Sequence, residues 1–587
     1  MQQRLKNWLT RHGRTVEIWS IVVLGAVLYA NILPNKLLWD DYDFFVHNQF
    51  VHDWSYFSHY FTDNLIAGSG LLDDYWRPML LTVFSVQWHL WQGWPPGYHF
   101  VSAALHIADA ILLLLFLRRL LGSRPLAYLT ALFFLAHPLQ TEAVAYASSQ
   151  GDSLSVLFEL LGLLCYLDFR SRKSAAGKSR RYWAAIGLFI LALLSKETAI
   201  VFPALALLSD AYRSFRDQPG LGWRRRLAEL GHAAWPFFLL AAVYVLLRGT
   251  VLNFVDSFNL THQVSIFTSS FPVRLFTFFR VLAGYVGLLF VPLGLHMERQ
   301  VEYVTSFFQP LALAGAAIFA VLLALAAALY RRRPALSFGI FWFFICLAPV
   351  SNVAVPINGL MYEHFLYLPL AGFFLALLAA GKELTARPVI RRAAVAALVV
   401  GLAVFSVLTV RRNADWRDPV VFFSQIRPYA PQSYRLLVNL GIAYADSGDQ
   451  QAAVKTFKEA LALQPILPVA HHNLANSYRA LGDRKQAMDE YRAALAVDPG
   501  NRILYNAPVS LLLAEGKYQE ALRLFEGFLP HSLNKVSAYF FLAKIALDGK
   551  DPQAALGYLR QAAAADPGNA SIRQDIDKLE KLIGPLP

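Results

Sequence analysis

The chain has 587 residues, of which 56% are hydrophobic and only 16% charged, and its formal net charge is +13. Soluble globular chains carry about 25% charged residues, so this composition excludes an ordinary soluble enzyme and indicates an integral membrane protein. Residues 1–414 have a net charge of +12, whereas residues 415–587 have a net charge of +1. The basic excess lies between apolar segments and therefore reflects membrane orientation rather than nucleic-acid binding, so no nucleic-acid partner is expected.

Residues 1–414 predict a polytopic helical membrane domain. The chain starts with a basic head and an apolar run, and no small-residue cleavage site follows, so we expect a retained first span rather than a signal peptide. Apolar stretches suited to crossing a bilayer recur along this domain and give about eleven expected spans. They are residues 16–33, 98–117, 126–137, 154–167, 183–194, 199–208, 234–247, 311–329, 336–349, 365–380 and 393–410.

The basic residues predict how these spans are oriented. With a cytoplasmic amino terminus, 25 of the 34 Lys and Arg residues in residues 1–414 fall on the cytoplasmic side, in line with the positive-inside rule. Two further apolar segments, residues 75–91 and 271–293, fit this orientation only as surface-lying or re-entrant helices on the outer face. The loop of residues 35–97 and the carboxyl-terminal block are then extracytoplasmic, in a periplasm or a lumen.

The first external loop carries an adjacent pair of carboxylates, Asp40 and Asp41, directly after the first span. Two neighbouring carboxylates repel each other, and the aromatic side chains around them partly exclude water, so we expect one pKa of the pair to rise. A carboxylate of this kind suits a general base for a hydroxyl nucleophile. The alternative is a pair of solvated acids that help to keep the loop outside.

Further ionisable side chains lie at the outer ends of the expected spans. They are His137, Glu142, Lys196, Glu197, Glu363, His364 and Tyr367. Charge within a membrane is costly, so such groups predict function; the alternative is structural pairing, for example of Lys196 with Glu363. Arg77 and Arg248 are candidates for contacts to phosphate oxygens, with a membrane-interface anchor as the alternative for each.

The carboxyl-terminal block, residues 415–587, repeats with a period of 34. Ala453, Ala487, Ala521 and Ala555 lie 34 residues apart, and aromatic residues share a second position of the repeat. Small residues that let paired helices approach, at this period, are typical of the tetratricopeptide repeat (TPR), an α-solenoid. The expected repeats are residues 434–467, 468–501, 502–535 and 536–569, with a closing helix at residues 571–582.

The first helix of each repeat is expected to line the concave groove of the solenoid. Its positions carry hydrogen-bonding side chains: His472, Asn476, Arg479, Asn506, Ser510 and Lys544. Such side chains suit an extended backbone or acidic side chains. We therefore expect this groove to bind a segment of an acceptor or partner protein; a solvated face is the alternative.

Short motifs along the membrane domain precede the repeats in this order: WDDYDFF, YWRPML, GYHFVSAALH, AHPLQTEAV, SKETA, APVSN and YEHFLYLP. Together with the repeats they resemble the transmembrane-and-tetratricopeptide O-mannosyltransferases, within the GT-C class of integral-membrane glycosyltransferases. The resemblance covers nearly the whole chain. It implies an all-α fold with a GT-C-like membrane domain before the TPR solenoid. It also implies a sugar donor carried on a polyprenyl phosphate and an acceptor hydroxyl, such as that of a protein serine or threonine, on the outer face.

The resemblance matches Asp40 and Asp41 to the family's acidic pair, His137 to its HP motif and residues 195–197 to its SKE motif. One position departs from the family pattern, because relatives often have Arg where this chain has His364. If that Arg binds the donor phosphate, a protonated His364 or another basic residue must replace it. The family's sugar, mannose, therefore does not carry over with the resemblance.

The leading hypothesis is a glycosyltransferase in which Asp40, or alternatively Asp41, takes the proton of the acceptor hydroxyl. The resemblance favours Asp40, with Asp41 orienting Asp40 or the acceptor. Arg77, Lys196 and His364 would then contact the leaving phosphate. A first rival is a non-catalytic, membrane-anchored TPR scaffold, for which the outer acids are dispensable. A second rival is a lipid-linked-sugar transporter, which predicts charges in the middle of the spans.

The chain has no GxxxxGK[ST] or GxGxxG motif, so we expect a lipid-linked donor rather than a nucleotide sugar. Its two cysteines, Cys165 and Cys346, lie in separate apolar runs and form neither a disulfide framework nor a metal motif. No metal ligand and no bound cofactor are predicted, and a need for a divalent cation stays open.

Overall fold

A computed structural model describes residues 2–171, 174–218, 223–261, 264–384, 387–532 and 534–583. Within these ranges every regular element is helical, which confirms the predicted all-α class. The chain divides into two compact units, a membrane unit of Met1–Gln425 and a repeat unit of Ile426–Pro587.

The α-helices up to residue 426 are α1 (Gln2–Tyr29), α2 (Gln49–His52), α3 (Pro78–Trp91), α4 (Pro95–Leu121), α5 (Arg124–Ala136), α6 (Thr141–Ala145), α7 (Gln150–Ser171), α8 (Ala175–Ser195), α9 (Phe202–Asp217), α10 (Trp223–Gly249), α11 (Ile266–Ser269), α12 (Phe271–Phe290), α13 (Pro310–Leu329), α14 (Pro334–Leu347), α15 (Pro369–Leu384), α16 (Pro388–Ala414) and α17 (Pro419–Ile426). Many of them begin with proline, because the first helical position needs no N–H donor. Short 3-10 turns join them, and a π-helical turn follows the acidic pair.

Five segments in the described part of the chain are long and apolar enough to cross a membrane: Gly13–Ile32, Pro95–Leu121, Phe271–Phe290, Pro310–Leu329 and Pro388–Ala414. Shorter apolar helices accompany them in the membrane unit, namely Arg124–Ala136, Ala233–Gly249, Pro334–Val350 and Pro369–Lys382. The membrane class follows from these helices, whereas the count of eleven spans stays a prediction.

The two segments that were expected to lie on the outer face differ in length. Helix α3 has 14 residues and is about 21 Å long, too short for a hydrocarbon core of about 30 Å. Helix α12 has 20 residues and the length and composition of a span, and its expected surface-lying or re-entrant placement stays a prediction. Counting α12 as a span would reverse the predicted side of the repeat unit.

Small residues allow close helix packing in the membrane unit. A Cβ atom at Gly315 of α13 would lie 1.8 Å from the carbonyl oxygen of Phe279 on α12. Gly339 of α14 and Gly372 of α15 approach each other in the same way, with 2.6 Å from a Cβ at either one to the carbonyl oxygen of the other. Backbone approach at small residues is a common way of joining helices in lipid.

The membrane unit extends eleven residues past the expected boundary at residue 414, to Gln425. Trp416 explains the difference, because its side chain is 1% exposed and its ring lies 5.4 Å from that of Tyr146 and 4.6 Å from that of Phe422. The segment after the last long helix is thus held by aromatic packing.

The repeat unit continues with α18 (Tyr434–Asp446), α19 (Gln450–Leu463), α20 (Pro468–Ala480), α21 (Arg484–Val497), α22 (Ile503–Ala514), α23 (Tyr518–Glu526), α24 (Lys535–Asp548), α25 (Pro552–Ala565) and α26 (Ala570–Ile583). Successive pairs start within one residue of the expected repeat boundaries, which confirms the TPR prediction. The periodic alanines are fully buried, and a Cβ at Gly441 would lie 2.6 Å from the ring of Phe457. The aromatic side chains therefore pack into the space that the small residues leave between the paired helices, as the repeat period predicted.

Candidate functional site

Asp41 of the acidic pair is a buried anchor, with an exposed fraction of 1%. Its Oδ2 accepts the N–H of Leu38 at 2.8 Å, and its Oδ1 accepts the N–H and the hydroxyl of Ser148 at 2.7 and 2.5 Å. Burial raises the pKa of Asp41 to about 7, although these hydrogen bonds oppose the rise. Of the two expected causes, loss of water contact is therefore the larger, and repulsion from Asp40 adds less to the rise.

Asp40 lies in a different environment from its neighbour. It is partly exposed, and its backbone N–H donates to the hydroxyl of Tyr146 at 3.0 Å. The residue before it, Trp39, has φ of +45°, a left-handed conformation that is costly for a bulky side chain. The backbone is thus held so that Asp41 points into the protein while Asp40 stays accessible.

Arg77 and Glu197 form a two-bond ion pair. The Arg77 Nε and Nη2 donate to the two carboxylate oxygens of Glu197 at 3.0 and 2.6 Å, and the guanidinium lies 4.4 Å from the ring of Tyr75. Although burial opposes ionisation, the charge and hydrogen bonds of Arg77 hold the pKa of Glu197 at about 2. Both groups are therefore charged at neutral pH.

Lys196 is paired with Asp152, a residue that the sequence analysis did not single out. The Nζ of Lys196 lies 2.7 Å from each carboxylate oxygen of Asp152, and both side chains are less than a tenth exposed. Lys196 does form a structural ion pair, but the expected partner Glu363 is wrong. Asp152 stands in the first turn of α7, one turn after Ser148. This segment joins the lysine to the acidic pair, because Ser148 is the residue that holds Asp41.

Glu142 and Glu363 form the centre of a second charged cluster, and both are fully buried. Glu142 accepts the backbone N–H of Glu363 at 2.9 Å and contacts the His364 Nδ1 at 2.6 Å. Glu363 in turn contacts Arg299 at 3.0 Å and Arg412 at 3.3 Å. Neither arginine was a sequence candidate, and together they supply the basic side chains near His364 that the resemblance implied would be needed.

A narrow cavity of about 30 Å³ connects these two clusters, and its walls include Asp152, Glu159, His364 and Tyr367. A volume of this size has room for at least one water molecule. One member of each pair, Asp152 and His364, thus lines the same small cavity, together with apolar side chains.

Three predicted site residues contact protein groups elsewhere. The two ring nitrogens of His137 bond the backbone of Leu139 and Leu289, so this histidine holds a turn. The Arg248 guanidinium donates to the carbonyl oxygens of Asp74 and Leu252, which ties the first external loop to the segment after α10. The Tyr367 hydroxyl bonds His106 and Asp109 on α4.

Some of the missed residues had a signal in the sequence. Arg412 belongs to a basic pair at the expected outer end of the last span, against the positive-inside rule. His106 and Asp109 are polar residues inside an expected span. Arg299 lies in a loop and Ser148 in a short 3-10 turn, where their residue types carry no comparable signal.

In the repeat unit, the predicted groove residues differ in exposure. Arg479, Asn506, Ser510 and Lys544 are exposed. The other two are engaged by Tyr491, whose hydroxyl donates to Asn476 at 2.6 Å and whose ring lies 5.4 Å from that of His472. Four of the six positions are thus open to a partner.

Comparison with known proteins agrees with this architecture. Tetratricopeptide-repeat family models match residues 434–466, 468–501 and 507–570. Protein O-mannosyl-transferase TMTC3 of Mus musculus is 24% identical over 490 residues, covering 78% of this chain and 52% of that protein. Protein O-mannosyl-transferase TMTC4 of Homo sapiens is 24% identical over 487 residues, covering 75% and 66%.

A third relative, protein O-mannosyl-transferase Tmtc1 of Drosophila melanogaster, is 25% identical over 544 residues, covering 77% of this chain and 62% of that protein. Among solved structures, the crystal structure of MamA protein aligns with a TM-score of 0.23 and 17% identity, covering 26% of this chain and 83% of that chain. The chain spans between half and two thirds of the length of these curated relatives. It is a homologue of the TMTC-family protein O-mannosyl-transferases with carboxyl-terminal TPR repeats.

Proposed function

We propose that the chain is an integral-membrane glycosyltransferase that moves a sugar from a polyprenyl-phosphate donor to a protein hydroxyl on the outer face of the membrane. The observation that carries this proposal is the joining of the acidic pair to a buried lysine through one segment, from Ser148 to Asp152. An acid that accepts a proton and a cation that contacts a phosphate are the two groups that such a transfer needs. The curated relatives are named protein O-mannosyl-transferases, which supports the transfer of a sugar to a protein.

Asp40 is the proposed general base, because it is the accessible member of the pair. Its carboxylate takes the proton of the acceptor hydroxyl as the acceptor oxygen bonds the anomeric carbon of the sugar. The bond from that carbon to the phosphate oxygen breaks, and the polyprenyl phosphate leaves with the bonding electrons. Asp41 is a positioning residue, since its three hydrogen bonds fix the backbone that presents Asp40.

Lys196 and Arg77 are the proposed contacts for the leaving phosphate. Each is already neutralised by a carboxylate, Asp152 or Glu197, so a bound phosphate would compete with that carboxylate for the cation. Arg299 and Arg412 supply further positive charge beside His364. This arrangement would stabilise charge that develops on the phosphate as the bond to the sugar breaks.

The test uses the full chain in lipid nanodiscs with a polyprenyl-phosphate mannose and a Ser/Thr-containing peptide. Asp40→Asn is expected to lower turnover by about 10²–10⁴-fold, the usual value of a general base, while donor binding is kept. Asp43→Asn is the matched control, because Asp43 is an exposed acid of the same loop and is expected to leave turnover unchanged. Full turnover in both Asp40→Asn and Asp41→Asn would remove the acidic pair from the mechanism, whereas a wild-type chain that binds protein partners without any turnover would support the scaffold instead.

The repeat unit is the proposed docking surface for the acceptor polypeptide. TPR solenoids bind other proteins along their concave face, and Arg479, Asn506, Ser510 and Lys544 offer exposed hydrogen-bonding groups. Deletion of residues 432–582 is expected to impair the use of protein acceptors and to leave donor binding intact. Equal loss of both would assign the repeats a role in folding.

One observation favours the alternative function, a transporter of a lipid-linked sugar. Asp109 and Glu159 are buried ionisable groups inside α4 and α7, so polar residues are not confined to the outer ends of the spans. A fluorescent polyprenyl-phosphate sugar in proteoliposomes separates the two functions. Movement of the label between leaflets without sugar transfer would establish transport.

A further inference from the structure

A continuous hydrogen-bonded chain of three ionisable side chains lies inside the membrane unit. The His106 Nε2 contacts the carbonyl oxygen of Leu135 at 3.2 Å, and its Nδ1 lies 2.8 Å from the hydroxyl of Tyr367. The same hydroxyl lies 2.7 Å from the Oδ2 of Asp109. His106 and Asp109 are completely buried and Tyr367 is 2% exposed, so water does not substitute for any of these contacts.

The three contacts require three hydrogen atoms. The carbonyl oxygen of Leu135 only accepts, so the His106 Nε2 must carry a hydrogen. One hydrogen must also lie between His106 and the Tyr367 hydroxyl, and another between that hydroxyl and Asp109. A neutral histidine, a tyrosine and an ionised aspartate supply only two hydrogens to these three positions. The network therefore holds one additional proton, either on Asp109 or on His106, and is electrically neutral in both cases.

The network also fastens the segment that carries part of the candidate site. Tyr367 directly follows the 3-10 turn of His364–Leu366, and its carbonyl oxygen accepts the side-chain amide of Gln140 at 3.3 Å. Glu142 holds the other end of that segment through His364 and the N–H of Glu363. Helix α4 thus anchors one end of the turn through a proton-dependent chain.

We propose that His106, Tyr367 and Asp109 form a proton-retaining clamp that positions Glu363 and His364 in the site. The clamp is a property of the folded chain and does not depend on the proposed reaction. Because the retained proton completes the chain of hydrogen bonds, its loss leaves one contact as a repulsion between two acceptors. The turn then loses an anchor on α4.

The groups that face the network favour retention of the proton. They are Tyr29 on α1, whose ring lies 5.1 Å from that of His106, and Glu159 and Asp152 on α7. Tyr29 is neutral near pH 7, and Asp152 is balanced by Lys196. Glu159 is an acid that disfavours a negative charge on Asp109, so the surroundings do not compensate for release of the proton.

The sign of the pH effect follows from proton counting. In the unfolded chain, His106 is neutral above its ordinary pKa of about 6.5 and Asp109 is ionised above about 3.9. Above pH about 6.5 this network therefore holds one more proton in the folded chain than in the unfolded chain. By linkage, the network alone makes the unfolding equilibrium constant rise about tenfold for each pH unit, until the folded state releases the proton. Below that pH the unfolded histidine is also protonated and this dependence disappears.

Asp109→Asn is the decisive variant. The asparagine amide can donate to the Tyr367 oxygen, the tyrosine can then donate to the His106 Nδ1, and the His106 Nε2 still donates to Leu135. All three contacts are kept without an additional proton. The unfolding equilibrium constant of the full chain is measured in nanodiscs at pH 7.5 and at pH 8.5. Between these pH values it is expected to rise about ten times more in the wild type than in this variant.

Asp210→Asn is the matched control. Asp210 is also buried and accepts a tyrosine hydroxyl, that of Tyr166, at 2.6 Å, but its second partner is Arg170 at 3.0 Å. Arginine is always charged, so this cluster needs no additional proton. The control variant is expected to lower stability and to keep the wild-type pH dependence.

Hydrogen exchange of residues 361–367 reports the positioning. Between pH 7.5 and 8.5 this segment is expected to lose protection in the wild type relative to Asp109→Asn at the same pH. Tyr367→Phe cuts the chain and is expected to lower the protection at both pH values. Equal pH dependence in the wild type and Asp109→Asn would overturn the proposal. An Asp109→Asn chain that does not fold would also overturn it, because an asparagine that satisfies all three contacts would then have failed to replace the protonated network.

Discussion

Exchange of Lys196 for methionine tests whether the buried pair with Asp152 is an essential element of the fold. The lysine Nζ lies 2.7 Å from both carboxylate oxygens, and the two side chains are 8% and 9% exposed. Methionine keeps most of the length of the side chain but removes the charge. Asp152 would then be a buried, uncompensated carboxylate, and breaking one side of such a pair costs about 3–5 kcal/mol.

The double variant Lys196→Met with Asp152→Leu separates the charge effect from the packing effect. Replacement of both partners by apolar groups is often close to neutral, so this variant is expected to recover most of the lost stability. Unfolding is followed in nanodiscs at pH 7. Arg280→Met is the control for removal of a cation, because its partner Glu302 is 87% exposed at 3.4 Å and such exposed pairs contribute about 0–1 kcal/mol.

Activity of the same variants distinguishes fold from function. If Lys196 contacts the donor phosphate, the double variant is expected to be stable and inactive. The reasoning would be refuted by a loss below about 1 kcal/mol in Lys196→Met, the size of an exposed pair. It would also be refuted by a double variant as unstable as the single one, since uncompensated charge would then not be the cause.

Three further predictions address the ion pair of the site, the helix packing and the topology. Because folding lowers the pKa of Glu197, its ion pair with Arg77 contributes its full stability above the ordinary glutamate pKa of 4.5, and this contribution is lost as the pH falls towards 2. Glu197→Gln is therefore expected to make the stability of the chain less dependent on pH in this acid range. Gly315→Ala is expected to cost about 1–3 kcal/mol of unfolding free energy by overpacking against the α12 backbone, whereas Gly287→Ala, which meets open space, is the neutral control. A reporter active only in the cytoplasm, fused after Pro587, is expected to stay inactive; activity would make α12 a true span.

Contiguous sequence determined the class of this protein. The length of an apolar run and a period of 34 residues are properties of neighbouring residues, and helix formation depends on the same short range. The all-α class and the repeat boundaries followed for that reason. Bilayer thickness alone did not decide how many apolar segments span, because α12 has the length of a span while its flanks are poor in basic residues.

Sequence also located several members of the site, because charge beside an apolar run is unusual enough to be noticed. Asp40, Asp41, Lys196, Glu363 and His364 were all found in this way. Their placement at one face of the membrane stays a prediction, and the structure adds that Asp152 and His364 line one small cavity.

Only the tertiary structure decided which partner each charge has. The partner of Lys196 lies 44 positions away in the sequence, and the partner of Asp41 lies 107 positions away. The two arginines that contact Glu363 lie 64 and 49 positions from it. These choices depend on how each helix is rotated and how its neighbours pack, which the periodicity of a single segment does not fix. The different environments of Asp40 and Asp41 have the same origin, because the packing of Ser148 against the first loop buries one carboxylate and leaves the other accessible.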